Sequence, residues 1–489
     1  MLYKTSFQKI FLLALSAGFL LGSCKKYLAV NTSPNNPQVV PSTVLLPTTT
    51  IGIAFANGND LGRATSAIMQ HIAGVGNQTQ GYDVYNFSGA FDNQWNGEIY
   101  GGSINNCQAL INLDSATSPI YSGIAKLEMA YAFSMATDIW GDVPYSQAGQ
   151  PNAYLYPRFD KVQDIYQGNP SLGIRSLFDL VKSGMADLDK TSFFKPTTDD
   201  IVYGGDITKW KRMGNTLLLK FAIMLTNTNP TLAKSVITDV LTGNNYINNT
   251  SLDFEVPFGS QTGNQNPIYN FNYVNRPTDQ MLSQRLLNLM TGLNDTLRLA
   301  KFFTKPNGAF VAFDNGANAV PPSLPANRSL YGSYLIGVTG NAPIRLLTFF
   351  QVNFILAEAA LVLGTSGNAN AYYQAGIKTS MSKVGIDTAT ISAYFAANPT
   401  VVNLSGSTED MRKQIITQKY IAWIGNGIEV FDDYRRTGYP VLALPNNPGG
   451  DDPTVIPTRL PYTNTEQSTN PNAPNPRPLV DVKLWWAKP

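Results

Sequence analysis

His71 is the only imidazole that this 489-residue chain can bring to any chemistry. A Ser-His-Asp triad would have to use it, and a zinc site built on two or three histidines is excluded. His71 stands beside Ile68, Met69 and Ile72 at helix-like spacing, so it reads as a packing residue rather than a base. Two cysteines, Cys24 and Cys107, are too few for a disulfide framework or a thiolate metal cluster, and neither metal nor cofactor is expected. Carboxylates are the one catalytic resource in supply. Glycoside hydrolysis needs two of them roughly 5–10 Å apart, and 33 acidic residues leave many pairs. A surface glycoside hydrolase is therefore the catalytic alternative.

Residue types otherwise favour binding. Charged residues make up 14% of the chain, against an ordinary share of about 25%, while aromatics reach 11%. Aromatic faces stack on sugar rings or peptide side chains at little entropic cost, and neighbouring amides supply hydrogen bonds. Two segments concentrate both. The first carries Tyr82, Asp83, Tyr85 and Asn86 and leads to Asn93 and Trp95; the second carries Tyr269, Asn270, Asn272, Tyr273 and Arg276. Tyr82, Tyr85, Tyr269 and Tyr273 are expected to converge on one exposed face, with Asn93, Trp95 and Arg276 as further ligand contacts. The competing reading is that these rings pin their own loops to the body.

The elements that must hold such a site begin after a leader. Lys4 and Lys9 precede a 12-residue apolar run at 10–21, too short for the roughly 20 residues that span a membrane, so residues 1–23 read as a secretory signal. Leu21, Gly22, Ser23 and Cys24 resemble the lipobox of bacterial lipoproteins, which implies that Cys24 carries the lipid. Each buried methylene of an acyl chain contributes about 0.8 kcal/mol, so several chains on one cysteine anchor a protein without a spanning helix. Cys107 is then left alone, packed inside a helix. Residues 24–41, with three prolines among Asn, Ser and Thr, read as a flexible tether. Removing the leader takes away two lysines and no acids, which leaves no net charge and no basic run for nucleic acid.

Residues 42–489 read as one helical ligand-binding domain, because no charge run or Gly/Ser linker divides them. Ile124, Leu127, Tyr131 and Met135 recur at spacings of three and four, and Gly141 to Pro144 then stop that helix. Trp210, Met213, Leu217, Phe221 and Met224 repeat the pattern, as do Phe350, Phe354, Ala357 and Leu361. Each predicts an amphipathic helix in need of a partner. Ser407 with Asp410 predicts a capping-box start for a helix running through Ile415, Tyr420 and Trp423 to a stop at Asn426 and Gly427. Ala357, Ala359 and Ala360 set against Ala371, Tyr372 and Tyr373 resemble a tetratricopeptide hairpin, although a strict 34-residue period is absent. The expected fold class is all-α: tetratricopeptide-like helix pairs with long loop insertions at about 75–90 and 250–333, and little sheet. Residues 444–478, rich in Pro, Asn and Thr, read as a long surface loop held against the body.

Several runs together resemble the SusD/RagB family of outer-membrane nutrient-binding lipoproteins: CKKYL at 24–28, DIWGDVPYSQA at 138–148, KWKRMGNTL at 209–217, ITQKY at 416–420, RRTGYP at 435–440 and RLPY at 459–462. The motifs themselves look architectural, with Gly141 and Pro144 ending a helix, Asp142 capping backbone, and Lys419, Arg435 and Arg436 pairing carboxylates such as Glu429 and Asp432. The resemblance implies a helical body that binds oligosaccharide or peptide and catalyses nothing. It implies lipid attachment to the outer membrane, facing the cell exterior. It also implies a partner, a TonB-dependent transporter (a SusC-like barrel) that the binding protein covers as a lid. Ligand residues in that family come from the loop after the first helix and from the central insertion.

Overall fold

A computed structural model describes residues 40–87 and 89–489, so the expected leader, Cys24 and nearly all of the tether lie outside the described residues. The first described helix, α1 (Ser42–Gly58), opens where the tether was expected to end. It is followed by α2 (Asp60–Ile68), α3 (Asn77–Asp83), a π-helical stretch at Gln94–Ile104, α4 (Asn105–Asp114) and α5 (Pro119–Trp140). Among the later helices are α6 (Leu177–Leu188), α7 (Ile207–Met224), α8 (Pro230–Gly243), α9 (Phe349–Val362), α10 (Ala369–Lys383), α11 (Thr408–Ala422), α12 (Gly427–Thr437) and the short α13 (Asn464–Thr469), while shorter helices such as Gln284–Gly292 and Thr296–Phe302 lie within the 250–333 insertion. Helices pack in sequential pairs, α5 on α6, α7 on α8, α9 on α10 and α11 on α12, as the tetratricopeptide-like pattern predicts. Among the described residues, sheet is limited to two-stranded ladders such as Ile72–Gly74 against Gln280–Leu282.

Helix α5 is more deeply placed than an amphipathic helix. Every one of its residues except Lys126 is buried, because α1, α4 and α6 cover its faces, and Lys126 pairs with Asp187 of α6. A Cβ on Gly123 of α5 would lie 2.8 Å from the Gly184 carbonyl oxygen of α6, so these helices cross backbone against backbone. Gly141 ends α5 with φ +91°, a conformation few other residues adopt. His71 is fully buried with its ring 4.3 Å from that of Tyr420, and burial pushes the imidazole down to about 3. It packs as a neutral ring. Cys107 is likewise a buried free thiol on α4.

The basic motif residues build a buried ionic lattice. Arg436 holds both Glu358 oxygens of α9 at 2.6 and 2.8 Å and Asp433 at 2.7 Å, while Lys419 of α11 pairs Asp433 at 2.8 Å. Arg435 pairs Asp432 as expected, but Glu429 is held by Lys220 of α7, at 2.5 Å, rather than by Lys419, Arg435 or Arg436. Removing one member of such a pair leaves an uncompensated buried charge, at a cost of about 3–5 kcal/mol.

Two boundaries differ from expectation. The capping box of Ser407 and Asp410 opens α11, yet α11 stops through Gly425 at φ +98°, and Asn426 and Gly427 open α12. Gly427 is small because a Cβ there would sit 2.2 Å from the Ser66 nitrogen of α2. The tail at 444–478 is not merely a surface loop, since Leu460 and Tyr462 are buried in it. Leu460 N–H donates to Ile139 O at 3.0 Å, Trp140 Nε1 donates to Pro461 O at 3.0 Å, and Arg459 donates to Trp140 O. The tail thereby satisfies the carbonyls that the end of α5 leaves open.

Candidate ligand-binding site

The first aromatic insertion turns inward. Asp83 accepts hydrogen bonds from Asn315 Nδ2 at 2.6 Å and Gly316 N–H at 2.5 Å, both on the central insertion, and Asn77 Nδ2 donates to Asp279 at 2.7 Å. With its backbone tied from below, the Tyr82 ring lies in the core, stacked on Phe91 at 5.6 Å and near Phe87 at 6.1 Å. Tyr82 and Tyr85 are only 0% and 2% exposed, which corrects the expectation that they share an open face with Tyr269 and Tyr273. Tyr85 and Phe91 hold φ of +67° and +76°, strain that bulky residues seldom carry. Burial pushes the Asp83 carboxyl up to about 7.

The second insertion does keep its rings near solvent. Tyr269 and Tyr273 stack with centroids 5.7 Å apart and planes within 6°, and the Tyr273 hydroxyl donates to Tyr331 O at 2.8 Å. That ring is 37% exposed, and burial of its inner half pushes the phenol up to about 12. Asn272 is buried on the same turn, whereas Asn270 is half-buried and Arg276 is exposed.

A third place brings aromatics and amides together in a cleft of about 630 Å³. Its floor is the π-helical stretch, where Trp95 and Tyr100 lie 4.9 Å apart and the Tyr100 hydroxyl donates to Pro144 O at 2.8 Å. One wall is the loop carrying Tyr154, Leu155 and Tyr156, which are 41%, 73% and 52% exposed. The facing wall is α13 with Glu466, Thr469 and Asn470. Asn470 Nδ2 spans the two walls, donating to Pro157 O at 2.9 Å and to Glu466 Oε1 at 2.8 Å. Asn96, Asn105, Asn112, Gln147 and Gln150 add amides to a lining that also includes Ala109, Ala148 and Pro151. Burial raises the Glu466 carboxyl above the usual range, and hydrogen bonds from Asn470 and Trp95 oppose the shift. Rings that offer a face and amides that both donate and accept suit a polyhydroxylated, uncharged molecule.

Residues 34–463 match the model of the SusD-like family described as "starch-binding associating with outer membrane". The chain belongs to that family. Its description is one of binding and not of catalysis. Among solved structures, a chitin-binding protein is 23% identical with a TM-score of 0.76, covering 91% of this chain and 100% of its own. A SusD homologue from Bacteroides uniformis is 21% identical (TM-score 0.73, 91% and 99% covered). A chitin-binding SusD homologue from Flavobacterium johnsoniae is 20% identical (TM-score 0.72, 91% and 97% covered). At these identities the likeness establishes the fold. No curated protein matches the chain.

Of the residues singled out by sequence, this SusD-like chain places Trp95 beneath the cleft but only 2% exposed, packed edge-on to Trp140 and Tyr462, with Asn93 exposed nearby in sequence but outside the lining. Tyr85 and Asn86 line a separate cleft of about 630 Å³ on the other side of α13. Tyr154 and Tyr156 were not foreseen. Their signal is two aromatics and a leucine between Pro151 and Pro157, directly after a motif at 138–148 that reads as helix termination.

Proposed function

We propose that this protein is a cell-surface glycan-binding lipoprotein which captures oligosaccharide in the cleft between Tyr154–Tyr156 and α13. The observation that carries this reading is the pair of exposed tyrosines facing an amide wall over a Trp95–Tyr100 floor. The family's description as starch-binding, and two chitin-binding structural neighbours, support a glycan as the ligand. Among the described residues the cleft lining holds one carboxylate, Glu466, where glycoside hydrolysis uses two. Mature protein run through gels containing starch or soluble chitin should be retarded and should release no new reducing ends. Binding of peptides alone would overturn the glycan reading, and released product would overturn the binder.

The same proposal includes the anchor and the partner. Acylation of Cys24 holds the protein at the outer membrane, and a TonB-dependent transporter receives the ligand from it. Cys24→Ala should move the protein to the soluble fraction. Co-purification with a large barrel protein from gently solubilised membranes checks the partnership; recovery only as a free lipoprotein in several detergents argues against it.

A further inference from the structure

Among the described residues that line the aromatic cleft, Glu466 is the only Asp, Glu, Lys or Arg. It is fixed rather than free to swing away, because Asn470 Nδ2 ties its Oε1 at 2.8 Å while also bonding Pro157 O on the opposite wall. The nearest basic residue along that wall, Arg158, is committed elsewhere. Its Nε donates to Asp160 at 2.7 Å, and its terminal nitrogen donates to Ser146 Oγ at 2.9 Å and Leu172 O at 2.7 Å. A sugar carboxylate entering the cleft would meet a fixed negative charge and find no lining cation to pair with. A sugar hydroxyl would instead donate a charge-assisted hydrogen bond to Glu466.

We infer that Glu466 makes the cleft select neutral oligosaccharides over uronate-bearing ones. This rests on the reading that the cleft is the ligand site, and the two are tested separately. Affinities of the mature protein for maltohexaose, chitohexaose and a galacturonate hexamer are measured for wild type, Glu466→Gln and the Tyr154→Ala/Tyr156→Ala double variant, alongside melting temperatures. Wild type should bind a neutral hexamer at least about tenfold more tightly than the galacturonate, the size expected for one like-charge contact in a partly screened cleft. Glu466→Gln keeps the shape and the acceptor for Asn470, and should narrow that gap to less than about threefold by raising affinity for the acid. Equal wild-type affinity for acid and neutral probes, or an unchanged gap in Glu466→Gln while the tyrosine variant loses neutral binding, overturns the inference. Neutral binding that survives the tyrosine variant at full strength, or no binding of any probe by folded wild type, instead removes the cleft as the ligand site.

Discussion

Tyr82, at the end of the short helix α3, and Tyr154, on the loop that follows α5, both stand among small and amide residues, yet one is sealed in the core and the other stands 41% exposed. The connection around Tyr82 is held by groups distant in sequence: Asn315 and Gly316 on Asp83, and Asp279 on Asn77. These bonds to the Asp83 and Asn77 side chains draw the segment inward, and its rings pack in the core. The loop around Tyr154 is held by its own turn, where Tyr154 N–H donates to Gln150 O, and from the side, where Asn470 and Asn472 donate to Pro157 O and Tyr156 O, and its rings stay outside. Whether such a tyrosine is sealed in or left outside thus follows from whether its segment is tied from beneath or from the side.

The contrast is broken most forcefully at Tyr82. Tyr82→Ala empties a fully buried site and should lower unfolding free energy by about 3–5 kcal/mol in denaturant titration. A loss below 1 kcal/mol would show that the ring is not core. Asp83 sharpens the same side through pH. Its folded carboxyl is raised to about 7 from 3.8, so the folded state keeps a proton that the unfolded chain gives up. Its stabilising proton is fully in place below the unfolded value and is lost as pH rises toward 7, with a slope of up to about 1.4 kcal/mol per pH unit. Stability of Asp83→Asn, measured relative to wild type from pH 4 to 7, should therefore improve as pH rises.

On the open side, Tyr154→Ala/Tyr156→Ala should weaken glycan binding about tenfold while moving stability by less than about 0.5 kcal/mol per site, the ordinary cost of a surface change. Loss of folding would make these rings structural. The smallest effect is expected at Tyr85, whose buried hydroxyl has no hydrogen-bond partner among the described residues. Tyr85→Phe removes that group and should leave stability unchanged or raise it by about 1 kcal/mol. A clear loss would mean the hydroxyl is satisfied in solution.

Helices were legible wherever a local rule decided them. Spacings of three and four placed α5, α7 and α9, the Ser407–Asp410 box marked the start of α11, and Gly141 marked the end of α5. These depend on neighbours within one or two turns, which sequence displays directly. The helix stop expected at Asn426 and Gly427 falls earlier, with α11 ending at Ala422, because Gly427 is small for a contact with α2, hundreds of residues away, and opens the next helix.

What the sequence determined by itself was the class of protein and its chemistry: paired helices, a sparse charge set, one histidine, and an excess of aromatics and amides suited to uncharged ligands. Tertiary structure alone decided which rings face outward, that Lys220 rather than a motif cation neutralises Glu429, and that the tail returns to cap α5 and wall the cleft with α13. The reason is physical. Helical periodicity is written in neighbouring residues, whereas the burial of a loop side chain depends on hydrogen bonds and packing from segments far along the chain.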